Sequence, residues 1–375
     1  RHDAKNPIFN WRKVVAQESV RHERWNANRN VLAWKFLTGV EYNDPEKFPY
    51  SAVIDRKLGV KDAMALLRLH EDYIGQDQEL YHSKSEGICR TTSHDSIVYN
   101  LTADPTLTEA WKTLGRPCQS VFVPLYPLAG PAKGTAFTDP ATATKEHFAG
   151  TPAMFDYRAD FTPHSVFSAS NNAIDYLRGD ELAKRTQLIQ AEEDKFMKDR
   201  AAVTKKAAGL KGEERMKFLH DYNQKSYDHV LKIMQAENAR LMPNKVKILA
   251  DVVKADGDGT VDFALLGAKG HEVLSANMEA TRAGMSANQL NSTRQWKNFA
   301  PAEKMVYKDV NNDGITDVVF TFKAKDVTKG AVAGAAMDLW LYTQINGHRV
   351  TGFDVVPVEN DKVKMNKGAR DGKGL

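Results

Sequence analysis
The hydrophobic period of this chain changes at Pro243. Before it, GEERMKFLHDYNQKSYDHVLKIMQAENARLM sets Met216, Leu219, Tyr227, Val230, Leu231 and Met234 on one stripe, the spacing of an amphipathic helix packed on a core. A companion helix runs from about Asn172 to Ala208 and stops at Gly209. Proline cannot continue a helix. Beyond it, short apolar runs alternate with Gly, Asn and Asp turns: KVKILADVV, GTVDFALLG, TDVVFTFKA and MDLWLYTQINGHRVTGFDVVPV. Asn346-Gly347 inside the last run is a strong hairpin signal. A chain with both periods in separate blocks is an α+β protein. Residues 244–360 read as a small all-β sandwich domain.

The stretch ahead of the helices is less regular. Residues 1–50 read as helical and aromatic-rich, with Trp11, Trp25 and Trp34. Val60, Met64, Leu67 and Tyr73 stand near helical spacing. EGICRTTSHDSIVYNLTADPTLTEAWKTLGRPCQSVFVPLY then predicts strand, turn, strand, with Asp104-Pro105 as breaker and Pro124 and Pro127 closing the second strand. Residues 1–243, including the helical pair 172–243, are expected to form one domain. Residues 361–375 read as a basic, flexible tail in which Lys362, Lys364, Lys367, Arg370 and Lys373 stand among Gly and Asn. At 375 residues and 42% hydrophobic composition the chain can bury two cores. A net charge of +4 carries no nucleic-acid signature. No run approaches the ~18 apolar residues of a membrane span. The first residue is Arg1 rather than Met, which reads as a processed product.

One loop carries metal-ligand spacing. DVNNDGITD places oxygen side chains at positions 1, 3, 5 and 9, namely Asp309, Asn311, Asp313 and Asp317. Gly314 takes the sharp turn at position 6, and Ile315 at position 7 can offer its carbonyl. Hard oxygen donors in this order suit a structural Ca²⁺. Position 12 is Phe320 rather than the bidentate Glu, and a strand follows instead of a helix. The competing reading is an Asx-rich turn without metal. In DGDGTVD, with Asp256, Asp258 and Asp262, the plain hairpin turn is favoured.

Cys89 and Cys118 are the only cysteines, which excludes a cysteine-rich zinc module and allows one disulfide. A hairpin centred between Ala103 and Asp104 would set them opposite each other, at the ~4.5–5.5 Å of cross-strand Cβ atoms. A disulfide wants ~3.5–4.5 Å. The disulfide, two buried thiols and a catalytic cysteine all stay open, the last least favoured because it needs a base or a positive field. The histidines form no HExxH, and G-x-S-x-G, P-loop and G-x-G-x-x-G patterns do not occur.

Two stretches bear a family resemblance. FPYSAVIDRKLGVKDAMALLRLHEDY resembles a segment of the cysteine dipeptidases, a family of the N-terminal-nucleophile hydrolases. CRTTSHDSIVYNL followed by AWKTLGRPCQSVFVPLYPL is similar to that family's core strand pair. The resemblance covers roughly residues 7–240. It implies an αββα sandwich and cleavage of short peptides by an N-terminal cysteine. That cysteine's α-amine, with an unperturbed pKa of ~7.7–8.0, would serve as base. Arg1 is no nucleophile. The resemblance therefore sets the reactive cysteine ahead of residue 1, on a separate upstream chain of the same precursor. One site residue carries over, Arg90, as a supporting charge near the substrate, against the alternative of a structural ion pair. The β region is similar to small domains appended to secreted bacterial proteins. With the calcium-type loop and the possible disulfide it favours an extracellular or periplasmic location. Two functions follow: a dipeptidase-like hydrolase chain, or a non-catalytic structural or binding subunit that keeps the scaffold.

Overall fold
A computed structural model describes residues 24–40, 54–70, 87–89, 93, 95–132, 163–177, 179–255, 257–285, 299–329 and 335–359. They fall into two units, one of Arg1–Lys133 with Arg178–Ile233, the other of Gly134–Leu177 with Met234–Leu375. Each combines helices with a sheet, so the chain is α+β. The basic tail lies outside the described residues.

The first unit holds α1 (Arg24–Thr38), α2 (Val60–Leu67) and a three-stranded sheet, β1 (Ser96–Asn100), β2 (Glu109–Thr113) and β3 (Val123–Leu125), in that order. The central position of β2 explains its burial: Glu109, Ala110, Trp111 and Thr113 are all buried. Between β1 and β2, Asp104 caps a 3-10 turn over Pro105–Leu107 by accepting the Thr106 amide at 3.0 Å. That turn shifts the hairpin. Ser96 faces Thr113, where a turn centred between Ala103 and Asp104 would have put His94 there. The second strand is also shorter than expected. Arg116 to Ser120 form turns, and pairing resumes with Lys112 opposite Val123 and Trp111 opposite Pro124. Pro124 thus sits inside a strand, which is tolerated because β3 is an edge.

The expected helix over 172–208 is two helices interrupted at Gly179: α3 (Pro163–Leu177) and α4 (Asp180–Gly209). α5 (Gly212–Leu241) carries the predicted stripe, with Leu219, Tyr227, Val230 and Met234 buried. In the first unit Leu219 joins Ala207 of α4 and Tyr126 beyond β3 in one cluster.

The second unit is built on two sheets. One runs β4 (Val246–Ile248), β6 (Thr260–Leu265), β10 (Asp317–Lys323), β9 (Lys304–Lys308). The other runs β5 (Val253–Lys254), β12 (His348–Glu359), β11 (Ala335–Ile345), β7 (Arg282–Met285), β8 (Ala300–Pro301). A short helix, α6 (Ala324–Val327), follows β10. The sheets share one core, with Phe263, Phe320 and Phe322 from the first and Leu339, Leu341 and Val356 from the second. Asn346-Gly347 makes the β11–β12 turn, with Ile345 opposite His348. DGDGTVD is not a hairpin. It links β5 in one sheet to β6 in the other, while Asp256 lies outside the described residues.

Strand alternation gives β11 two apolar faces. Leu339 and Leu341 enter the inter-sheet core, while Trp340 and Tyr342 point the other way, onto Ala169 and Tyr176 of α3. The Tyr176 hydroxyl donates to the Thr343 carbonyl at 2.8 Å, and burial pushes its pKa upward. Trp340 is fully buried and stacks on Phe353 with ring centres 4.6 Å apart. Trp340→Ala is expected to cost about 4 kcal/mol in denaturant unfolding, since the rings of α3 and β12 cannot collapse into the space left.

Candidate functional site
The turn between β2 and β3 is densely polar and buried. Arg116, Gln119 and Ser120 are each no more than 1% exposed. Buried backbone without a regular ladder needs other partners, and arginines supply them. Arg68, just past the end of α2, donates from Nε to the Pro117 carbonyl at 2.7 Å and from a terminal nitrogen to the Ser120 carbonyl at 3.3 Å. Arg185 of α4, itself fully buried, donates to the Gln119 carbonyl at 3.1 Å.

A carboxylate balances this charge. Glu193 of α4 takes a two-pronged bond from Arg68, at 2.9 and 2.5 Å, and accepts the Phe122 amide at 2.8 Å. The Arg68 guanidinium also lies 4.9 Å from the centre of the Phe122 ring, a favourable cation–π placement. Neighbouring Glu192 accepts from Lys195 at 2.6 Å and pairs with His229 at 2.7 Å. Burial pushes the Glu192 carboxyl up, but those two partners outweigh it and hold it below the ordinary value.

The same turn brings Cys89 and Cys118 together. Their Sγ atoms are 3.3 Å apart, and no disulfide joins them. The predicted neighbours are therefore right, but the disulfide is not formed and the ladder is not the cause. Cys89 lies seven residues before β1 and Cys118 lies in the turn after β2, so neither stands on the cross-strand register. Arg90 lies outside the described residues. Arg68, Arg185 and Glu193 were not singled out by motif. Arg68 stands within the resemblance stretch, but the other two come from a helix whose sequence carries no motif.

The calcium-type loop divides its expected ligands. Asp309 accepts the amides of Asp313 at 3.3 Å and Gly314 at 2.9 Å, and Asp313 accepts that of Ile315 at 2.8 Å. Asn311 donates to Asp313 at 2.9 Å. These three side chains sit on an exposed loop. Asp317 does not join them. It is fully buried, and its two carboxylate oxygens accept the amides of Gly267 and Val310, each at 2.8 Å. Gly267 is needed there, because a Cβ would stand 2.5 Å from the Thr316 carbonyl oxygen. Asp317 is thus committed to closing the loop, and the residues fit at most a shell of Asp309, Asn311, Asp313, the Ile315 carbonyl and water. Phe320, at the position of the missing Glu, is core.

No family model matches the chain, and no curated protein matches it. Among the described residues no helix is long and apolar enough to cross a membrane.

Glu193→Gln is expected to lower stability by about 3 kcal/mol, because it leaves the Arg68 charge without its carboxylate. Arg68→Met in the same background should recover part of that loss in a double-mutant cycle. Asp317→Ala is expected to cost about 3 kcal/mol by stranding two amides. The loss should be equal with calcium and with chelator, since the Asp317 oxygens face the backbone.

Proposed function
We propose that this chain is part of a dipeptidase-like cysteine hydrolase. The observation that carries the reading is that the two stretches bearing the family resemblance pack together: Arg68, in the first, bonds the carbonyls of Pro117 and Ser120, in the second. An αββα sandwich completed by an upstream segment, with an extracellular or periplasmic location, belongs to the same proposal. So does a loosely held structural Ca²⁺ on Asp309, Asn311, Asp313 and the Ile315 carbonyl.

In the proposed reaction the N-terminal cysteine of the upstream chain attacks the peptide carbonyl. Its α-amine takes the thiol proton and returns it to the leaving amine. Water then releases the acyl group from sulfur. Arg90 supplies a supporting positive charge near the substrate.

The test is intact mass spectrometry and dipeptide hydrolysis on the purified precursor. A co-purifying chain beginning with cysteine, with turnover lost on its alkylation, supports the hydrolase. Arg90→Ala should then lower kcat/KM by about a hundredfold with the unfolding midpoint unchanged. No such chain and no dipeptide hydrolysis would leave the non-catalytic scaffold in its place.

A further inference from the structure
The two thiols have a third neighbour. Past α2 the chain runs through Arg68 and Leu69 to His70. The Cys89 amide donates to the Leu69 carbonyl at 3.0 Å. Gly87 makes that approach possible, because a Cβ there would lie 3.1 Å from the His70 Cα and 3.2 Å from the Leu69 oxygen. Cys118 arrives from the turn that Arg68 holds through Pro117 and Ser120. A His70 ring nitrogen and the two sulfurs consequently lie within 4.8 Å of one another. They come from three segments of one unit.

We propose that His70, Cys89 and Cys118 form a metal site for a thiophilic divalent ion of the zinc type, which clips these three segments together. The donor chemistry selects the ion: two thiolates and an imidazole favour zinc over calcium or magnesium. The described residues supply three donors of a tetrahedral shell, and the fourth position takes water or a further donor. Metal and disulfide ask for different adjustments, and a zinc shell also draws the imidazole nitrogen, within 4.8 Å of the sulfurs, inward. Zinc–sulfur bonds of ~2.3 Å put tetrahedral sulfurs about 3.8 Å apart, so the 3.3 Å pair must open by about 0.5 Å. A disulfide of ~2.03–2.05 Å needs closure by about 1.2 Å and leaves the imidazole without a part. Cys89 is 2% exposed, while His70 and Cys118 are half-buried. Binding replaces two thiol protons with two metal–sulfur bonds and releases those protons to solvent. The proposal does not depend on the hydrolase reading.

The test uses the full chain, purified reduced and metal-free, and titrated with Co²⁺ and then Zn²⁺. A thiolate-to-cobalt charge-transfer band should appear, saturate at a single equivalent and be abolished by zinc. The oxygen donors of the 309–317 loop cannot give that band. Cys89→Ser, Cys118→Ser and His70→Ala should each weaken zinc binding by more than about 100-fold, beyond the loss from outer-shell changes. If a variant folds poorly, the wild type still decides the matter by releasing about two protons per zinc near neutral pH. Absence of the band with both thiols titratable would overturn the site. So would a native protein lacking free thiols and two hydrogens lighter, or His70→Ala binding as tightly as the wild type.

Discussion
Burying Glu193 in the first unit costs free energy that only its partners can offset. Glu193 is 7% exposed, and its carboxylate receives two nitrogens of Arg68 and the Phe122 amide. Those bonds tie α4 to the end of α2 and to the segment entering β3, so elements more than fifty residues apart in the chain share one charge. With Arg68 fixed, its other donors are fixed too, and they hold the carbonyls of Pro117 and Ser120. The position of Cys118 is therefore a consequence of the Arg68–Glu193 pair. So is its meeting with Cys89, whose amide is bonded to Leu69, the residue after Arg68.

The second unit uses the same device with different partners. Asp317 is a buried carboxylate whose oxygens are filled by the amides of Gly267 and Val310. Aspartates at calcium-loop spacing therefore divide between two tasks. Asp309 and Asp313 face an exposed loop, while Asp317 starts β10 from inside the core. A buried acid accepting amides and an acid accepting a cation look alike in a one-dimensional motif, because both require the same oxygen atoms near a tight turn.

Much of the architecture was legible because hydrophobic period reports burial directly. The α5 stripe, the β runs after Pro243 and the Asn346-Gly347 turn all appear where the pattern puts them. The misses have local causes. The 3-10 turn at Pro105–Leu107 moved the β1–β2 register, since Asp104 caps that turn instead of occupying the centre of a tight hairpin. The break at Gly179 left α3 in the second unit, against the outer face of β11. Nothing in the period of residues 163–177 reveals that partner; the signal lay in β11 itself, where Trp340 and Tyr342 make the outward face as apolar as the inward one.

The thiol–imidazole cluster was the least legible feature, for a reason that bears on its role. A metal motif is readable when its ligands are held by one local element at fixed spacing. Here the ligand atoms are assembled by tertiary bonds: the Leu69–Cys89 backbone contact, the close approach at Gly87 and the arginine-held turn around Cys118. Each of those contacts exists to close the first unit around Arg68. A metal bound there would add its affinity to contacts already made in the folded chain and absent from the unfolded one, and so would act on the stability of this unit as a whole.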